Sequence, residues 1–211
     1  MSQIFIGNAS HELQTPLAAC SNRIEIMLDR TDLNADVAEE LVKLHRSLQH
    51  LIRLNKTLLL LSKIENGQFP DVTDVDFSQL VADAVELNEE VYSHKSLDVD
   101  VKENGRFVCS INEQMASVLV NNLVKNAFVY TVPGEKLKIT IEADGFTIAN
   151  SGETPLDRNG LFRRFYQPSG RREGSTGLGL ALAHSVCVRN GLEISYDFSE
   201  KMHIFSIKLK N

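Results

Sequence analysis

The chain holds no run of about 20 apolar residues of the kind that crosses a bilayer, so none of its segments is expected to be a membrane span. Its first residues lack a basic stretch followed by an apolar core, and no secretion signal is read there. The three cysteines, Cys20, Cys109 and Cys187, stand far apart with no CxxC pair. That excludes a zinc-ribbon or thiol-redox motif and predicts small buried hydrophobes in a reducing cytosol. Basic residues are scattered in a chain of net charge −6. This weighs against a nucleic-acid partner, since a phosphate backbone needs a clustered basic face. Repeats and low-complexity tracts are absent as well. What remains is a chain of 211 residues, 43% apolar and 24% charged, a composition ordinary for a soluble globular protein and long enough for two unequal domains.

Ile6, Ala9, Leu13, Leu17, Cys20, Ile24 and Met27 recur at steps of three and four, which predicts an amphipathic helix ending near Arg30. TDLNAD, at 31–36, carries turn and cap residues, after which Leu41, Leu44, Leu48, Leu51 and Leu58 keep heptad spacing. A second long helix is therefore expected to about Asn66. Ile52, Leu54 and Leu59 to Leu61 widen its apolar surface beyond what one partner helix covers, so the hairpin is expected to dimerise into a four-helix bundle. Asn55 falls among the leucines, either at a register-fixing seam position or at a solvated edge. Gly67, Gln68, Phe69 and Pro70 end the pattern, which divides the chain into residues 1–69 and 70–211. Beyond them, short strand-like runs alternate with helical ones at 78–92 and 112–128, and KLKITIEA, GFTIAN, LEISYDF and HIFSIKL read as period-two strands. That mixture predicts one sheet covered by helices on a single face, an α+β chain overall.

At 100° per residue His11 falls nearly opposite the apolar stripe of the first helix and is expected to be exposed. Neutral imidazole, with an ordinary pKa of about 6.5, is a nucleophile near neutrality. Glu12 can bond the second ring nitrogen and accept its proton. Thr15 lies one turn on, and Pro16 cannot donate to the carbonyl of Glu12, so the helix should loosen there. An exposed histidine is usually only a surface residue. The string Ser10-His11-Glu12-Leu13-Gln14-Thr15-Pro16-Leu17, however, resembles the phosphoacceptor motif of sensor histidine kinases, with Gln14 where the family more often has Arg.

Asn122 and Asn126 share one helix face, and an asparagine oxygen suits Mg²⁺. The segment from Asn122 to Thr131 resembles the asparagine box of the same family's ATP-binding domain. The resemblance implies Asn126 on Mg²⁺, with Asn122 and Tyr130 lining the site; Val129 replaces a common Lys. Ile148 to Gly152 falls where the family's first glycine box belongs, with Asn150 in place of the adenine-binding Asp and Thr154 in place of the second Gly. An Asn oxygen can accept the same bond from an adenine amino group. Residues 153–173, around Phe162 and Phe165, resemble the phenylalanine box and ATP lid. Gln167 stands where a cation is common, so Arg163, Arg164, Arg171 or Arg172 is expected to meet phosphate. Ser175, Thr176, Gly177, Leu178, Gly179 and Leu180 open a helix and resemble the second glycine box, where backbone N–H groups face phosphates. His45, His50, His94, His184 and His203 show no metal-ligand spacing and are expected at the surface or as caps.

The resemblance covers essentially the whole chain, with its motifs in family order. It implies a dimeric helical hairpin followed by the α/β sandwich ATPase fold shared with gyrase and heat-shock chaperones. The implied activity is autophosphorylation of His11 from ATP with Glu12 as base. Transfer to an aspartate of a response-regulator receiver domain follows, and Thr15 assists dephosphorylation of that partner. Such kinases commonly sit in the inner membrane, so a longer parent protein is expected, of which this is the cytoplasmic portion. The alternative is a kinase-deficient, nucleotide-gated dimeric scaffold or a response-regulator phosphatase, which the substitutions at Val129, Asn150 and Gln167 would suit.

Overall fold

The computed structural model describes residues 2–30, 32–167 and 175–210, with side chains from residue 12 onward. The side chain of His11, with its expected exposure, and both Arg171 and Arg172 lie outside the described residues.

Two long helices open the chain, α1 (Ser2–Leu28) and α2 (Ala35–Glu65). α1 runs unbroken through Pro16. Asn34 caps α2 by accepting from the Asp36 N–H at 2.9 Å, which satisfies one of the four donors a helix start leaves unpaired. At the other end Gly67, with φ of +66°, stands in the left-handed conformation. There the Gln68 N–H reaches the Lys63 carbonyl and the Gly67 N–H the Ile64 carbonyl, both at 3.0 Å, the glycine-terminated stop expected of that sequence.

The broad apolar stripe of α1 resolves into two rows. Leu17 and Ile24, with Ser21 between them, turn toward α2, whereas Leu13, Cys20 and Met27 are exposed. In α2 the row Leu41, Leu48, Asn55 and Ser62 is covered to varying degrees, while Leu44 and Leu51 face outward. Asn55 is therefore a seam residue, 5% exposed. Cys20 corrects the expectation of buried cysteines: it belongs to the outward row. Cys109 and Cys187 are buried, and burial pushes the Cys187 thiol up to about 12. Between the helices His45 Nε2 lies 3.0 Å from Glu25 and 3.2 Å from Ser21 Oγ, and Gln49 Nε2 donates to Ser21 Oγ at 2.8 Å. His45 is thus an interhelix tie rather than a surface or capping residue.

The rest alternates: β1 (Thr73–Asp76), α3 (Phe77–Val91), β2 (Asp98–Glu103), β3 (Val108–Ile111), α4 (Glu113–Tyr130), β4 (Lys136–Glu142) and β5 (Gly145–Ser151). Then come α5 (Gly179–Arg189), β6 (Leu192–Ser199) and β7 (Met202–Leu209). The strands make two sheets, not the one expected. β1 and β3 form an antiparallel ribbon, and the other five run in the order β2-β4-β5-β7-β6, parallel only at β2–β4. In β4 and β5 alternate residues Leu137, Ile139, Ile141, Phe146 and Ile148 are all buried. Those strands share one apolar core with α3, α4 and α5. Leu61 and Ile64, 1% and 0% exposed, carry the last turns of α2 into that core beside Phe77, Phe107 and Phe146. Among the described residues no helix is long and apolar enough to cross a membrane.

Candidate functional site

α4 forms one wall of a cavity of about 900 Å³. Its apolar face, Met115, Leu119, Leu123 and Ala127, is buried in the core, which leaves Asn122 and Asn126 half-buried on the neighbouring face. The Asn122 Nδ2 donates to the Val118 carbonyl at 2.7 Å, and a Cβ added to Gly179 would stand 3.0 Å from the Asn122 Oδ1. The amide oxygen therefore faces the first turn of α5. At the C-terminal end of α4 the buried Lys95 Nζ donates to the carbonyls of Phe128, Val129 and Thr131 at 2.7, 3.0 and 2.5 Å. A cation there answers both the open carbonyls and the negative end of the helix dipole.

The second wall is the end of β5. Alternation along Phe146, Ile148 and Asn150 puts Asn150 on the helix-covered face, 3% exposed. Its Nδ2 donates to the Ser151 carbonyl at 3.2 Å. Across the ladder Asn150 pairs with His203 of β7. The His203 ring lies where a side chain on Gly152 would begin, 2.1 Å from the Cβ position, so a larger residue there would have to displace that ring. His203 Nδ1 meets the Tyr196 hydroxyl at 2.9 Å, and burial holds its pKa below the usual histidine value. The expectation of a surface or capping histidine thus fails for His203, because sheet register carries it inward.

The third wall combines the aromatic segment and α5. Phe162 stacks on His184 with ring centroids 5.4 Å apart, while Phe165 is exposed at a φ of +65°. Gly177, φ +66°, lies against the backbone of Phe165 and Tyr166 so closely that an added Cβ would come within 2.8 to 2.9 Å. Leu178 is buried at the N-cap of α5 and offers no side-chain cap, so the N–H groups of the first turn remain for a ligand. Gln167 Nε2 donates to the Ser175 carbonyl at 3.0 Å and ties together the two chain segments that flank residues 168–174. Arg164, one of the four lid cations considered for phosphate, is instead paired with Glu65 of α2 at 2.5 Å.

Asn122, Asn126, Tyr130, Asn150, Ser175, Thr176, Gly177, Gly179 and Leu180 all line the cavity. Gly152, Phe162, Phe165 and Leu178 are outside its lining. Glu12 and Thr15 are exposed on α1, away from it. Sequence reasoning missed Lys95, Lys125 and His203 as lining residues, and missed Arg53, Lys56 and Thr57, which α2 contributes. The β5–β7 pairing is the signal for His203; the α2 residues have no local signal.

Residues 1–67 match the model of the His Kinase A (phospho-acceptor) domain, and residues 111–211 that of the histidine kinase-, DNA gyrase B-, and HSP90-like ATPase. The chain belongs to the sensor histidine kinases. Within that family it is 28% identical over 196 residues to the sensor protein QseC of Salmonella typhi, a match covering 91% of this chain and 44% of QseC. The chain spans under half the length of that relative. Among solved structures, the Acinetobacter baumannii histidine kinase AdeS is 25% identical with a TM-score of 0.63, covering 95% of this chain and 97% of AdeS. Full-length ShkA, crystallised in complex with AMPPNP, shares the fold at 21% identity and a TM-score of 0.78, over 97% of this chain and 45% of ShkA.

Proposed function

We propose that this histidine kinase core binds ATP in the 900 Å³ cavity, phosphorylates His11, and passes the phosphoryl group to an aspartate of a response-regulator receiver domain. In this reading residues 1–69 are the dimerisation and phosphotransfer unit and residues 70–211 the ATP-binding unit. The observation that carries it is convergence: segments 122–130, 150–154 and 175–180, far apart in sequence, line one cavity. The Asn150 amide oxygen takes the adenine amino group, and the first turn of α5 takes phosphate oxygens.

A metal ion is tested by the donor set. Among the described residues no cluster of three or more His, Cys, Asp or Glu could cage an ion, and Asn126 brings one hard oxygen to the cavity. That fits Mg²⁺, which keeps waters and substrate phosphates in its shell and supplies charge neutralisation for the polyphosphate. Transfer forms a bond between an imidazole nitrogen of His11 and the γ-phosphorus while the bond to the β-phosphate oxygen breaks. ADP leaves, and Glu12 accepts the proton from the second ring nitrogen. Thr15 serves the reverse task, hydrolysis of the phosphorylated partner. Two copies pair through the outward rows of the hairpin to give a four-helix bundle, the cytoplasmic portion of an inner-membrane protein.

Incubation with γ-labelled ATP and Mg²⁺ is expected to leave an acid-labile, alkali-stable label on the chain that His11→Gln abolishes. A label that survives His11→Gln, or none at all, would falsify the assignment.

A further inference from the structure

The nucleotide cavity is not built by the ATP-binding unit alone. Arg53, Lys56 and Thr57 of α2 line it together with Asn122 and Asn126. In a chain of net charge −6 the lining holds four cations, Arg53, Lys56, Lys95 and Lys125, against one carboxylate, Glu153. Lys95 is committed to the α4 carbonyls. The charged heads of Arg53 and Lys56 make no hydrogen bond or ion pair with any described residue. Thr57 turns its hydroxyl back to the Arg53 carbonyl at 2.8 Å, so these two cations are the polar groups α2 brings. Two family cation positions are meanwhile neutral, Val129 and Gln167, and Arg164 of the lid is held by Glu65. Lys56 also borders the crevice between α1 and α2 lined by Gln14 and Leu17. It therefore joins the nucleotide cavity to the stretch of α1 one turn beyond His11.

We propose that Arg53 and Lys56 of the hairpin bind the polyphosphate of the nucleotide and complete the ATP site. This rests on the cavity being the ATP site. The nucleotide then bridges α2 and the sandwich, and a shift of α2 relative to α4 and α5 loosens its phosphates while its base stays held. The same two positions on an ordinary solvated helix face would have no effect on ligands.

The test compares ATP and adenosine binding to the full chain by calorimetry, with Mg²⁺, for the wild type and the double variant Arg53→Gln, Lys56→Gln. Glutamine is a good helix former at exposed positions, so α2 is retained. The double variant should weaken ATP binding by about tenfold or more, as expected for lost charge-assisted bonds. Adenosine affinity should stay within about twofold, and the exchange Arg53→Lys, Lys56→Arg should restore ATP binding, since phosphate accepts either cation. Equal ATP affinity in wild type and double variant overturns the inference, as does an equal loss for adenosine. A wild-type chain that binds no ATP would instead sink the functional reading on which it rests.

Discussion

The hairpin and the sandwich use the same apolar residues to opposite ends. Leu51 of α2 is 50% exposed, while Leu61 and Ile64, three turns further along the same helix, are 1% and 0% exposed. The first half of α2 is thus one side of an unfinished interface, and its last turns are part of a finished core. α2 therefore belongs to both units and ties them together through one continuous helix. The difference teaches that the hairpin leaves an apolar row uncovered, the one through which we propose that a second copy pairs, whereas the sandwich is completed by the hairpin's own end.

The largest expected effect separates those two roles. Ile64→Ala should cost about 2–5 kcal/mol of unfolding free energy, as for other fully buried large-to-small changes, read by denaturant titration of the mixed unit. Leu44→Ala with Leu51→Ala should leave that transition in place and move the monomer–dimer equilibrium toward monomer by about tenfold or more, given the apolar area each leucine buries in a bundle. Sedimentation at several concentrations reads the second effect. Equal loss of stability from both sets of changes would break the distinction.

A smaller effect is expected inside the sandwich. Asn150→Ala should weaken ATP binding by about tenfold, the worth of one buried hydrogen bond, with the fold intact. Unchanged affinity would remove Asn150 as the adenine anchor.

The smallest is a pH effect. Burial lowers the pKa of His203 beside Tyr196, so the unfolded chain binds the proton more readily than the folded one. Stability from this group is complete above the ordinary histidine value of about 6.5 and is lost as pH falls toward the lower folded value. His203→Gln should flatten that acid limb in thermal melts taken across the interval; a limb of unaltered slope would assign it to other groups.

Most elements were legible because their causes are local. Heptad leucines, the Asn34 cap, the Gly67 stop and the alternation through Phe146, Ile148 and Asn150 act within a few residues. What was not legible depends on pairing. The outward placement of Cys20 follows from a stripe wider than one partner, and only the choice of partner tells its rows apart. The separate β1–β3 ribbon follows from the crossover after α3, and the inward position of His203 from the register of β7 on β5. Lys95 and Arg53 lie far in sequence from the asparagines they join, so no spacing announces them.

The central claim is that the hairpin holds the acceptor and the sandwich the donor. Its most direct test is the location of the phosphoryl group after reaction with Mg²⁺ and ATP, mapped by ³¹P NMR together with fragmentation that preserves phosphoramidates. The account predicts a single phosphohistidine at His11. A phosphoryl group on His45, His94, His184 or His203, or on a hydroxyl side chain, with His11 unmodified, would contradict it.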